Sequence, residues 1–148
     1  MLCCDVMKTV VLACHAEDAV AECARTMRDR NIGFLPVLDD DGRVIGVVTD
    51  RDLAVRVLAL GMAPDTPVGA VMTHEVIWCR PLDELRSAEA LMAGARKSRL
   101  VVMDGDGLCA GIISLSDVAH ADSLSRAGQV LSAVTRRETR EPALPGVY

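Results

Sequence analysis

Aromatic side chains are almost missing from this chain: Phe34, Trp78 and Tyr148 are the whole supply in 148 residues. The stacking platforms that hold single-stranded nucleic acid have no material here. The core must be built from Val, Leu, Ile, Ala and Met. Histidine is scarce too, with only His15, His74 and His120, and no C-x-x-C pair occurs. That argues against a metal site. Cys3, Cys4, Cys14, Cys23, Cys79 and Cys109 are read instead as small hydrophobes in a reducing compartment. Long apolar runs are absent: residues 10–14 form the longest near the start, far below membrane-spanning length. Asp5 and Lys8 interrupt the stretch a signal peptide would need. A cytoplasmic location without membrane association is expected. Positive charge is not in excess either. The net charge of −5 argues against nucleic acid or an anionic membrane as partner. An anionic ligand would need a local positive pocket.

Apolar residues make up 51% of the chain, enough for one compact domain with a real core. Sliding the sequence against itself by 65 positions reveals its organisation. Val6-Met7 falls on Val71-Met72, Val11 on Val76, Cys14 on Cys79, Asp18 on Asp83 and Met27 on Met92. Leu35, Val37 and Asp39 fall on Leu100, Val102 and Asp104. Asp41-Gly42 falls on Asp106-Gly107, Gly46 on Gly111, Asp52 on Asp117 and Ala54 on Ala119. These are fourteen gapless identities between residues 6–54 and 71–119, where chance would give roughly three to five. The chain is a tandem duplication, and two copies suggest a pseudo-twofold pair.

Each copy reads as strand, helix, strand, strand, helix. Residues 10–14 and 76–79 are short apolar strands. Val20, Cys23, Ala24 and Met27 recur at helical spacing after Asp18, as do Leu85, Ala88, Leu91, Met92 and Ala95 after Asp83. Strands are expected at 34–38 and 44–49, and again at 100–103 and 109–114. The intervening Asp39-Asp40-Asp41-Gly42 and Asp104-Gly105-Asp106-Gly107 are hairpin turns. Leu53, Val57 and Leu60 are expected on one face of the helix closing copy one. The fold class is α+β, two βαββα motifs packed as one pseudo-twofold module. Copy one is assigned to residues 3–61, a linker to 62–68 and copy two to 69–121. Residues 122–148 form an extension, helical over 125–134 and disordered from 136.

The sharpest repeated feature lies at a strand–helix junction. Copy one has Gly46-Val47-Val48-Thr49-Asp50-Arg51-Asp52, and copy two has Gly111-Ile112-Ile113-Ser114-Leu115-Ser116-Asp117. A hydroxyl followed three residues later by an acid is a capping box. The same pair can hydrogen-bond the two hydroxyls of a ribose, beside a helix start that suits phosphate. Two such corners would face one another across one cleft. The histidines have no nucleophile at suggestive spacing, so the chain is read as a non-enzyme. Asp39, Asp40 and Asp41 are turn residues. Cys14 and Cys79, equivalent in the two copies, are read as core residues, with an approach across the pseudo-twofold axis as the alternative.

The duplicated pattern resembles the CBS motif, named after cystathionine beta-synthase, whose tandem pairs are called Bateman modules. The resemblance spans about residues 3–121. It rests on residues 31–39 followed by Gly46 to Asp52, and on residues 98–104 followed by Gly111 to Asp117. It implies that Thr49 with Asp52, and Ser114 with Asp117, hold ribose. Copy two is similar to the regulatory gamma subunit of AMP-activated protein kinase, which implies a phosphate contact at Arg99, before Leu100-Val101-Val102. Arg51 is read as a second phosphate contact, and its planar fork suits that role. Adenine would lie near Val10 and Ile77. Three departures stand out: Val101 replaces the proline found at Pro36, Leu115 replaces Asp50, and Ser98 stands where the family has a histidine beside the phosphate arginine. That last change weakens the phosphate grip of the Arg99 site, grouped here with copy two. The resemblance implies a stand-alone sensor of AMP, ADP or ATP without a required cofactor, regulating an unknown protein partner. The alternatives are a ligand-free structural or partner-binding pair, and a sensor of NAD(H) or S-adenosylmethionine. A homodimer packed through helices is expected, because Val57, Leu58 and Leu60 exceed what one buried face requires.

Overall fold

The structure, a computed structural model, describes residues 1–136. In copy one, β1 (Cys14–His15) is followed by α1 (Val20–Arg30), β2 (Phe34–Leu38), β3 (Val44–Thr49) and α2 (Asp50–Asp52), which continues as a π-helix over Leu53–Leu58. In copy two, β4 (Trp78–Cys79), α3 (Leu85–Ala95), β5 (Arg99–Met103), β6 (Cys109–Ser114) and α4 (Leu115–Ala121) repeat the order. An added helix, α5 (Leu124–Thr135), spans the expected 125–134. The rest of the expected disordered tail, 137–148, lies outside the described residues.

Two three-stranded sheets result, β1-β2-β3 and β4-β5-β6. In each, the first pair is parallel and the second antiparallel. The hairpin turns behave as the sequence implies. Asp39 Oδ1 accepts the N–H groups of Asp41 and Arg43, and Asp104 Oδ1 those of Asp106 and Leu108. Gly42 and Gly107 supply the positive φ of 79° and 82°. The first strands are shorter than expected. Of residues 10–14 only Cys14 joins the ladder, and Val10 is 92% exposed.

Three cores form. Copy one closes around Leu35, Val37 and Val48, and copy two around Met92, Leu100 and Ile113. The third lies between the sheets, where Val47 of copy one meets Val101 and Met103 of copy two, with Phe34 and Val76 packed against them. This contact buries the sheet face that a single copy would leave open.

The copies also exchange their leading segments. Cys3 and Cys4 donate their N–H groups to Asp83 O and Pro81 O, and Lys8 forms a reciprocal pair with Ile112. All these partners belong to copy two. At the positions 65 residues further on, Val68 and Gly69 donate to Asp18 O and Ala16 O, and Thr73 pairs reciprocally with Val47. These partners belong to copy one. Each exchanged segment also satisfies a helix start: Thr66 O accepts from Val20 and Met1 O from Leu85. Val68, assigned by sequence to the linker, is fully buried in the copy-one core.

One expectation needs correction. Leu60 is 73% exposed, off the core-facing side that Leu53 and Val57 share. The cause is the π-helical path, whose i→i+5 bonds run from Ala59 to Ala54 and from Met62 to Val57 and widen the turn. Leu58 and Val55 are exposed as well. Cys14 and Cys79 are core residues, as the sequence implies: Cys14 sits with Cys23 in the copy-one core and Cys79 with Cys3 in that of copy two, and Cys14 Sγ donates to Pro36 O at 3.6 Å. All six are free thiols, and Cys14 and Cys23 are buried. The Cys23 partner and burial push the Cys14 thiol up, and burial followed by its Cys3 partner does the same to Cys79. Both thiols are therefore held protonated and unreactive.

Gly46 and Gly111 have no positive φ, so alanine at either would ordinarily stabilise through the unfolded state. Here an added Cβ would stand 3.0 Å from Thr73 O and 2.6 Å from Met72 Sδ at Gly46. At Gly111 it would stand 2.9 Å from Lys8 O and 2.8 Å from Met7 Sδ. Gly46→Ala and Gly111→Ala are each expected to destabilise by about 1–3 kcal/mol through overpacking. Urea denaturation checks this, and a stabilisation would show that the exchanged segments are not seated tightly.

Candidate functional site

Each strand–helix junction is a complete capping box. Thr49 Oγ1 accepts the Asp52 N–H at 3.1 Å, and Asp52 Oδ2 accepts the Thr49 N–H at 3.0 Å. Ser114 and Asp117 repeat this, with Asp117 Oδ2 accepting the Ser114 N–H at 2.8 Å. Each acid also meets a residue of the exchanged segment. Thr73 Oγ1 donates to Asp52 Oδ2 at 3.5 Å, and Lys8 Nζ lies 3.3 Å from Asp117 Oδ1. Thr73 and Lys8 are equivalent at the 65-residue offset. Arg56, one turn on from Asp52, adds an ion pair at 3.6 Å.

The two corners open into separate clefts rather than facing one another across one. The first, of about 330 Å³, is lined by Thr49, Arg51, Asp52, Thr73, Ile77 and the segment 97–99, among others. The second, of about 260 Å³, is lined by Lys8, Val10, Leu12, Ser114, Asp117 and the segment 31–34, among others. Arg99 and Phe34, equivalent in the repeat, each border both clefts.

All eight residues singled out by sequence therefore line a cleft: Thr49, Asp52, Arg51 and Ile77 the first, Ser114, Asp117 and Val10 the second, and Arg99 both. Their grouping differs from the reading by copies. Arg99 and Ser98 belong to copy two but line the cleft of Thr49 and Asp52. The sheets pack through Val47 and Val101, which sets the start of β5 beside the copy-one corner. Val10 and Ile77 are not counterparts either. Ile77 is equivalent to Leu12, which also lines the second cleft, and Val10 stands at its exposed mouth. Sequence reasoning missed Lys8, Thr73 and Arg56. The repeat offset links the first two, but only the exchange of segments brings them to the acids.

Charge differs between the clefts. Arg51, Lys97 and Arg99 make no ion pair among the described residues and border the first. In the second, Lys8 is committed to Asp117. Burial pushes the Asp117 carboxyl up, but the Ser114 side-chain and backbone hydrogen bonds and the Lys8 ammonium outweigh it and hold the group below its ordinary value. Among the described residues no cluster of His, Cys, Asp or Glu could hold a metal, and no helix is long and apolar enough to cross a membrane.

Comparison with known proteins agrees with this architecture. The family model described as "CBS domain" matches residues 3–59 and 68–124. The CBS domain-containing protein YhcV of Bacillus subtilis (strain 168) is 34% identical over 134 residues, covering 90% of this chain and 94% of its own. A crystal structure of an uncharacterized conserved protein from Pyrococcus horikoshii matches with a TM-score of 0.73 at 30% identity, covering 81% of this chain and 90% of that one. CBSX2, solved in complex with AMP, matches with a TM-score of 0.72 at 25% identity over 81% of this chain and 94% of its own.

The lowered Asp117 pKa gives stability that is present above the unfolded value and is lost as pH falls through the folded one. The window therefore lies below about pH 4. Asp117→Asn is expected to shrink the fall in melting temperature between about pH 4 and pH 2, while lowering stability at neutral pH. An unchanged acid limb would show that Lys8 and Ser114 do not hold this carboxylate charged.

Proposed function

The chain belongs to the CBS domain family, and from that premise we propose that it is a regulatory module sensing an adenine nucleotide, AMP, ADP or ATP, in its clefts. The observation that carries this reading is the recurrence of one constellation in two places. Each cleft joins a hydroxyl–carboxylate pair, suited to a ribose diol, to aliphatic walls of the size and polarity that an adenine ring needs. Ile77 and Val76 supply that wall in the first cleft, and Val11 and Leu12 in the second. Arg51 and Arg99 add forks suited to phosphate. AMP bound to CBSX2 supports the choice of ligand. Occupancy would act by stabilising one arrangement of the two copies over another and thereby altering a protein partner. No group in either cleft is required to perform chemistry, so the module acts by binding alone.

One feature favours a ligand-free, structural reading: Thr49, Asp52, Ser114 and Asp117 already satisfy one another as capping boxes. The two readings separate in one experiment. Losing a charge-assisted hydrogen bond costs roughly 1.5–3 kcal/mol, hence about tenfold to a hundredfold in affinity, whereas losing a cap costs about 1 kcal/mol of stability. Asp52→Ala and Asp117→Ala are expected to weaken adenine-nucleotide binding by that factor in calorimetry, beyond what a small drop in melting temperature explains. Wild-type protein that binds no adenine nucleotide at millimolar concentration, or variants that bind normally and melt earlier, would leave capping as the sole role.

The reading includes a homodimer packed through helices. The exposed apolar side chains of Val55 and Leu58 on the helix closing copy one, and of Leu60 just after it, support it. In copy two, α5 packs against α3 and α4. Light scattering at micromolar concentration is expected to give twice the chain mass. A monomer there would overturn the dimer.

A further inference from the structure

The repeat offset allows the two clefts to be compared position by position. The cleft of Thr49 and Asp52 carries Arg51, Lys97 and Arg99, none of them in an ion pair among the described residues. The equivalent positions in the other cleft are Ser116, Ile32 and Phe34. Arg51 and Lys97 on one side thus correspond to a hydroxyl and an aliphatic chain on the other, while Arg99 and Phe34 each border both clefts. The single reversal is Lys8, which stands where the first cleft has Thr73, and its ammonium is held by Asp117 at 3.3 Å.

We propose that the two clefts take different classes of adenine ligand: the cleft of Thr49 and Asp52 a nucleoside polyphosphate, the cleft of Ser114 and Asp117 a nucleoside without a phosphate chain. This rests on reading both clefts as adenine-ligand sites. Arg51 and the pair Lys97 and Arg99 come from different copies, so they approach the first cleft from two elements. A chain of phosphates offers an anionic group to each of them. The carboxylates of Asp50 and Glu75 also line this cleft. Asp50 is turned onto its own backbone, where Oδ1 accepts the Arg51 N–H at 2.8 Å, and Asp52 is matched by Arg56. The unpaired cations remain to bind the anion. In the second cleft Ile32 and Phe34 would desolvate a phosphate chain without compensating it. Arg99, which borders both clefts, is drawn to the polyphosphate when the first is filled.

Calorimetry on the whole chain with ATP and with adenosine tests this, with Asp52→Asn and Asp117→Asn reporting which cleft each ligand uses. ATP is expected at one site per chain, lost in Asp52→Asn and kept in Asp117→Asn. Adenosine is expected to retain a site that Asp117→Asn removes. Arg51→Ser and Lys97→Ala change exposed side chains and are each expected to weaken ATP about tenfold, leaving adenosine at the second cleft unchanged. Ser116→Arg is expected to raise ATP affinity at the second cleft about tenfold. ATP filling both wild-type clefts with equal affinity, or an unchanged ATP affinity in Arg51→Ser and Lys97→Ala, would overturn this assignment and leave the adenine reading standing. A failure of both ATP and adenosine to bind at millimolar concentration would overturn the two together.

Discussion

The close approach of a backbone to a glycine decides how this chain is assembled. Residues 7 and 8 lie against Gly111, and residues 72 and 73 against Gly46, so near that no side chain fits between them. Because of that approach, Lys8 pairs with Ile112 and Thr73 with Val47 through reciprocal backbone bonds. Those pairs in turn bring Lys8 to Asp117 and Thr73 to Asp52. The glycine that opens each strand–helix motif therefore serves packing, and it does so at one remove from the clefts. A cap formed wholly within one copy needs no second segment. Here each cap, complete within its own copy, also has its acid met by the segment that leads into the other copy.

This arrangement makes the two halves symmetric in backbone and unequal in chemistry. Both clefts have a hydroxyl, a carboxylate and an aliphatic wall. They diverge at position 51 against 116, position 97 against 32, and position 8 against 73. Of these, Ile32 packs against the copy-one core, and the other five side chains belong to none of the three cores. Among the residues that recur, Leu35 with Leu100 and Val37 with Val102 are fully buried.

The architecture was legible because the repeat is gapless. Each weak local signal was written twice, and the hairpins and helices stand where the doubled pattern put them. Burial of Cys14 and Cys23 followed from the apolar periodicity around them. What stayed hidden depends on packing between elements far apart in sequence. Arg99 was grouped with its own copy, since nothing local reveals that the sheets meet through Val47 and Val101 and set β5 beside the opposite corner. Lys8 looked like an interruption of an apolar start, and its partner is 109 residues away. The π-helical turn that carries Leu60 into solvent is likewise invisible to a reading based on 3.6 residues per turn.

The exchange of leading segments also bears on the order in which the protein can take shape during synthesis. Residues 1–8 are made early, yet their backbone partners lie at 81, 83, 85 and 112. Until those residues leave the ribosome, the early segment has no place to dock, and Gly111 has nothing to receive. Copy one, meanwhile, must wait for residues 66–73 before its own core closes around Val68 and Met72. Contacts of such long sequence separation carry a loop-closure cost before they return any stability, which slows folding. Neither half can complete itself as it emerges, so a nascent chain halted midway would present an open sheet face and an unclosed core to whatever chaperone meets it first.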